Sequence, residues 1–303
     1  MAPIYASEKQ NGKMSKSEEY RTLLASASYV CDNQLATALA MAEQLSRPLL
    51  LEGEAGVGKT FVANALAQAT GKKLIRLQCY EGLDAAHAIY EWNYQRQILA
   101  IAKAQGSGAE LKNAELFSEE FLLKRPLLEA ITQEDSPILL IDEIDRADEE
   151  FEAYLLELLA DYQITIPELG TIRASSKPIS ILTSNGTREL SDALRRRCLF
   201  HYIDYPDSAT ELRIIQAQVP ECSVKLARDI ASFIKNLRRE DLKKTPGIAE
   251  TLDWTAALIG LEVDDLGGDV DSIHQTLLCV LKTKEDRDAI PRAVFERLAG
   301  KAA

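Results

Sequence analysis

Gly53, Glu54, Ala55, Gly56, Val57, Gly58, Lys59 and Thr60 stand in unbroken order one residue, Glu52, after the apolar run 48–51. The context carries more weight than the letters. A buried strand that ends in a glycine-rich turn and opens a helix lets main-chain amides wrap an anion, with the amide end of the helix facing it. Glycines at 53, 56 and 58 permit backbone geometries and close approaches that a Cβ would obstruct. Lys59 has the reach for terminal phosphates, and the Thr60 hydroxyl can ligate Mg²⁺. A glycine-rich turn with a solvated lysine could carry the same residues, but the strand before and the helix after make that the poorer reading. The chain is expected to bind a nucleoside triphosphate.

The 303 residues suffice for one large or two modest domains. A formal charge of −12 argues against a general affinity for nucleic acid or an anionic membrane, while leaving room for a local basic strip. No apolar stretch approaches the length needed to span a bilayer. Residues 1–17 are polar, without the apolar centre of a secretion signal, and a mobile tail is expected over 1–23. Cys31, Cys79, Cys198, Cys222 and Cys279 are scattered without a CxxC pair, and His87, His201 and His274 are isolated. These suit reduced thiols in a cytoplasmic protein; any metal should arrive with the nucleotide.

Short apolar segments at 48–51, 73–78, 138–141, 178–183 and 199–204 alternate with helical stretches, the signature of a parallel α/β sheet. After Pro206 the pattern changes. Segments 209–219, 223–239, 248–261, 271–281 and 285–298 all read as helices, so a second, all-helical domain is expected over 207–303. Two stretches interrupt the α/β part. Residues 79 to about 124 are too long for a simple connection and include a loop at 105–108; residues 163–173 alternate polar and apolar around 168–170, as a β-hairpin does.

Asp142 and Glu143 close the apolar strand that begins at Ile138. Ligands gather at the carboxyl ends of parallel strands. Asp142 is thus placed to share a Mg²⁺ hydration shell with Thr60, and Glu143 to polarise an attacking water. The acids that follow, Asp145 to Glu152, suit a solvated helix start instead. Asn185 ends the next strand, where its amide could bond both water and γ-phosphate. Asn185-Gly186 also makes turns, and on spacing alone the two readings stand level. Arg195, Arg196 and Arg197 end a short capped helix. Electrostatic capping accounts for one or two of them; three in a row suggest a guanidinium offered to a neighbouring subunit's γ-phosphate.

Together these residues resemble those of AAA+ ATPases, over nearly the whole chain after the tail. Within that superfamily the segment from Leu77 to Asp84, the run from Ile89 to Tyr94, and the stretches from Ala193 to Cys198 and Ile203 to Pro206 resemble the MoxR type. The nearest branch is the one associated with maturation of carbon monoxide dehydrogenase and similar metalloenzymes. The resemblance implies a five-stranded αβα sandwich of strand order 5-1-4-3-2, core 24–206, followed by a helical lid. It implies ATP and Mg²⁺ as ligands, ATP hydrolysis, Asn185 as sensor, and Arg197, with Arg196 second, as the finger acting in trans. It further implies hexameric rings, a helix-2 insert at about 79–110, a pre-sensor hairpin at 163–173, and a von Willebrand A domain partner. On that basis the expected function is remodelling of a protein client, or help with metallocofactor insertion.

One departure stands out. The ATPases it resembles often carry an arginine at the start of a lid helix, and here Gly247 takes its place, with Lys243 and Lys244 as substitutes to be weighed against ordinary surface lysines. Tyr90, Trp92 and Tyr94 read first as aromatic packing on the core, then as client contacts. A nucleic-acid-directed ATPase is the competing function, disfavoured by the acidic balance; a nucleotide-gated scaffold with little turnover is the third.

Overall fold

The computed structural model describes residues 14–106 and 113–300. Its strands are β1 (Leu49–Glu52), β2 (Leu74–Gln78), β3 (Tyr90–Trp92), β4 (Leu122–Lys124), β5 (Ile138–Asp142), β6 (Gln163–Ile166), β7 (Gly170–Arg173), β8 (Ile179–Ser184) and β9 (Leu199–Tyr202). Five of them form a parallel sheet in the order β2-β5-β8-β1-β9. Numbered within that sheet alone and read from the β9 edge, this is the expected 5-1-4-3-2.

The run Ile138–Asp142 is buried throughout, as a strand covered on both faces must be. Its residues sort by a period of two. Ile138 and Leu140 join Leu49, Leu51 and Ile181 under helices Asn33–Leu45 and Lys59–Thr70. Leu139 and Ile141 join Leu50 and Leu182 against Phe151 and Leu155 on the opposite face. Register fixes the chemistry: Leu51 lies opposite Thr183, so Glu52, Asp142 and Ser184 finish together at one sheet edge. That edge is where such sheets hold ligands.

The tail differs from expectation. Lys16–Ser26 is a helix, begun by a reciprocal capping box between Ser15 and Glu18, and it buries Tyr20 and Leu24 with helix Asn33–Leu45. The cap and the apolar pair supply what a mobile tail through residue 23 lacks. Residues 1–13 lie outside the described residues.

Beyond Pro206 the described residues form helices Ser208–Gln218, Val224–Leu237, Ile248–Gly260, Val270–Gln275, Lys284–Ala289 and Arg292–Gly300. They enclose their own core, where the Phe233 ring lies 5.0 Å from Trp254 and 5.2 Å from Phe295. Two expected helices are split. Segment 271–281 tightens into a 3-10 turn at Thr276–Cys279, and segment 285–298 breaks before Pro291, whose ring and missing N–H exclude it from a helix interior.

Within 79–124, β3 and β4 pair antiparallel beside helix Tyr94–Gly106; that helix replaces the first part of the expected loop at 105–108, whose remainder lies outside the described residues. Trp92 is buried edge-on against Phe117 at 5.1 Å and near Tyr90, so both are packing residues, whereas Tyr94 is exposed. β6 and β7 form the hairpin expected at 163–173. No helix among the described residues is long and apolar enough to cross a membrane.

Candidate functional site

A cavity of about 460 Å³ lies between the 53–60 loop, the ends of β5 and β8, and the helices after Pro206. Sterics shape the loop. A Cβ on Gly53 would meet the Ile203 carbonyl oxygen at 2.3 Å, and Gly56 and Gly58 hold φ of +82° and +96°. Val57 is buried beside Gly53, while Glu54 and Ala55 are exposed. The Lys59 ammonium donates to the carbonyls of Gly53 and Glu54, each at 2.7 Å, and so braces the loop from within. Burial lowers the Lys59 pKa, opposed by the carboxylates of Asp145, Glu54, Asp142 and Glu143.

Asp142 is buried and fully engaged. Its Oδ1 accepts from the Thr60 hydroxyl at 2.9 Å and from Thr183, and its Oδ2 from Arg76. Thr183 in turn accepts the Glu143 amide at 2.9 Å. Glu143 adopts φ 55° and ψ 50°, left-handed geometry that costs a residue with a Cβ about 1 kcal/mol or more. Its carboxylate is held by Gln78 Nε2 at 3.0 Å and Arg146 Nε at 2.9 Å.

Asn185 lines the cavity and also begins the turn at Gly186, φ +70°. Its amide donates to Asp145 Oδ2, which also receives the Thr187 amide at 3.0 Å and hydroxyl at 2.6 Å. Burial works to raise the Asp145 pKa, but these hydrogen bonds outweigh it and leave the carboxyl below its ordinary value. Asp145 is therefore not the solvated helix acid expected from sequence.

The three arginines separate. Arg195 pairs with Glu52 at 3.0 Å within its own chain. The Arg196 and Arg197 guanidinium groups have no hydrogen bond or ion pair with the described residues, Arg196 being exposed and Arg197 half-buried. Capping falls to another residue. Arg47 donates to the carbonyls of Arg196, Arg197 at 3.0 Å and Cys198 at 3.2 Å. Lys243 and Lys244 are exposed and stand away from the cavity lining, Lys243 pairing with Glu285 at 3.2 Å.

Residues 48–198 match the family model described as an AAA domain of the dynein-related subfamily. This stretch is an AAA domain. Beyond it, the chain is 25% identical over 261 residues to an uncharacterized protein of Staphylococcus epidermidis, covering 83% of this chain and 90% of that one. It is 26% identical over 258 residues to an uncharacterized protein of Staphylococcus aureus, covering 82% and 90%. Among solved structures, the Thermotoga maritima RuvB Holliday junction branch migration motor aligns with a TM-score of 0.43 and 18% identity, covering 81% of this chain and 66% of that one, too distant a likeness to bear on function. None of these supports the narrower resemblance to the branch associated with carbon monoxide dehydrogenase.

Arg47, Arg76, Gln78, Asp145 and Thr183 were not singled out by sequence reasoning. Gln78 and Thr183 carry one usable signal: each is a polar residue at or near the carboxyl end of a sheet strand. Arg47 and Asp145 carry none, because their partners lie far along the chain.

Proposed function

We propose that this protein is an ATP-hydrolysing ATPase of the MoxR type, working as an assembly of its own copies that remodels a protein client. One observation carries the reading. The Thr60 hydroxyl and Asp142 Oδ1 stand 2.9 Å apart at the cavity, with Glu143 next in the chain and Lys59 bracing the loop. That set of hard oxygen donors fits Mg²⁺, which keeps several waters and takes one or two protein oxygens alongside phosphates. Magnesium bound there would neutralise charge on the phosphate oxygens.

The chain's own groups account for the rest. Loop amides and Lys59 hold the phosphates, while Tyr29, Phe61, Ile214 and Leu252 of the cavity lining offer apolar surface for the base. Glu143 orients and polarises water, and Asn185 positions it against the terminal phosphate. Arg197, with Arg196 beside it, completes a neighbouring copy's site. A finger in trans is supported by two guanidinium groups without partners among the described residues, on a helix whose end Arg47 already caps. A hexameric ring, a von Willebrand A domain partner and a metalloenzyme client rest on resemblance alone, and a cytoplasmic setting on the scattered cysteines.

Steady-state turnover tests the reading. The wild-type chain should release phosphate from ATP, and Glu143→Gln should keep ATP binding while losing turnover. Equal hydrolysis by both chains would refute the assignment, and binding without wild-type turnover would favour a nucleotide-gated scaffold.

A further inference from the structure

The segment that opens helix Ile248–Gly260 meets the phosphate loop through its backbone. The Ile248 amide donates to the Gly56 carbonyl at 2.8 Å. A Cβ at Gly247 would lie 2.7 Å from both the Gly56 Cα and its carbonyl oxygen, so no side chain fits there. This explains why no arginine occupies the position. The helical part lines the cavity with Ile214, Gln218, Ile248, Ala249 and Leu252, none of them charged.

The contact is braced from behind. Arg238 Nε donates to the Pro246 carbonyl at 2.9 Å, and its other nitrogens hold Glu211 at 2.7 and 2.8 Å. Glu211 is wholly buried and also receives the Thr251 hydroxyl at 2.9 Å, from the first turn of the same helix. Tyr205 stacks its ring 4.9 Å from the Arg238 guanidinium and turns its hydroxyl to the Ala55 carbonyl at 3.4 Å. A buried, bidentate pair with every partner satisfied holds its geometry far better than an exposed one.

We propose that the Ile248 main-chain amide is a positioning group for the phosphate loop, admitted by Gly247 and held by Arg238 and Glu211. Loop and helical part then respond to one another through this hydrogen bond in place of a cation. Because the peptide is planar and trans, fixing the Gly56 carbonyl also fixes the Val57 N–H across the same peptide, one of the loop amides. The inference rests on the ATPase reading for its catalytic consequence, though not for the contact itself.

Ile248→Pro isolates the bond. Proline suits the first position of a helix, lacks the amide, and follows a Gly247 already extended at φ −88° and ψ −173°. Ile248→Ala removes the side chain but keeps the amide and is the reference. In the full chain without nucleotide, Ile248→Pro should speed hydrogen exchange of residues 53–60 relative to Ile248→Ala. It should also lower kcat by about tenfold against that reference with a smaller change in KM, as one lost hydrogen bond allows. Exchange of residues 249–258 should no longer slow on adding ATP. Gly247→Ala should act in the same direction, with fluorescence of buried Trp254 confirming that the helices remain packed. Equal loop exchange in Ile248→Pro and Ile248→Ala overturns the proposal. A wild-type chain without turnover would instead sink the ATPase reading, while loop exchange still decides this one.

Discussion

Replacing Arg47 with alanine removes the cap from the helix that carries Arg196 and Arg197, without touching the cavity. Arg47 makes three hydrogen bonds to the carbonyls of Arg196, Arg197 and Cys198. Each is worth about 0.5–1.5 kcal/mol net, and water can replace part of the bond at exposed Arg196, so the helix end should lose about 2 kcal/mol. If that helix presents a guanidinium to the next copy, kcat should fall by up to about thirtyfold. Arg47 is absent from the cavity lining, so KM for ATP and binding of a fluorescent ATP analogue should hardly change. Arg47→Lys should recover only part of the loss, since an ammonium cannot serve three carbonyls as a planar fork does. The assay is steady-state phosphate release across ATP concentrations. An unchanged kcat, or a KM that rises in step with lost turnover, would refute the reasoning.

Gly53→Ala forces a Cβ to within 2.3 Å of a main-chain oxygen, so a shift of the loop or β9 end should lower stability by about 1–3 kcal/mol, read by denaturant titration. Asp145→Asn should free the Asn185 turn, lowering kcat more than ATP affinity. Because the folded Asp145 pKa lies below its unfolded value, its contribution is present above about pH 4 and lost as pH falls through the folded pKa. Acid titration should therefore destabilise the wild type below about pH 4 more steeply than Asp145→Asn. Burial pushes the Cys31, Cys79 and Cys198 thiols up to about 12, so native labelling at pH 8 should modify Cys279 first; rapid reaction of the other three would contradict the packing.

Features written in contiguous residues were legible. The phosphate loop, the Asp142–Glu143 pair and the 163–173 hairpin each depend on neighbours in sequence, and short apolar runs made the sheet strands readable. The capping box at Ser15 and Glu18 and the break at Pro291 were equally local, and both were overlooked. What sequence could not yield was convergence. Asp145 reaches Asn185 and Thr187, and Arg47 reaches Arg196, Arg197 and Cys198, only because the sheet order brings distant segments together. Gly247 looked like a missing arginine because its reason, the Gly56 backbone against it, lies nearly two hundred residues earlier.

The central claim is that ATP is split at a seam between copies, one supplying Glu143 and its neighbour a guanidinium. Mixing two inactive chains tests it directly. Glu143→Gln keeps both free arginines, and the Arg196→Ala, Arg197→Ala double variant keeps Glu143. In equal mixture, about one seam in four joins an intact carboxylate to an intact arginine pair, so phosphate release should return to about a quarter of the wild-type rate. A co-assembled mixture that stays inactive, or an arginine-less chain that turns over ATP at full rate alone, would contradict the account.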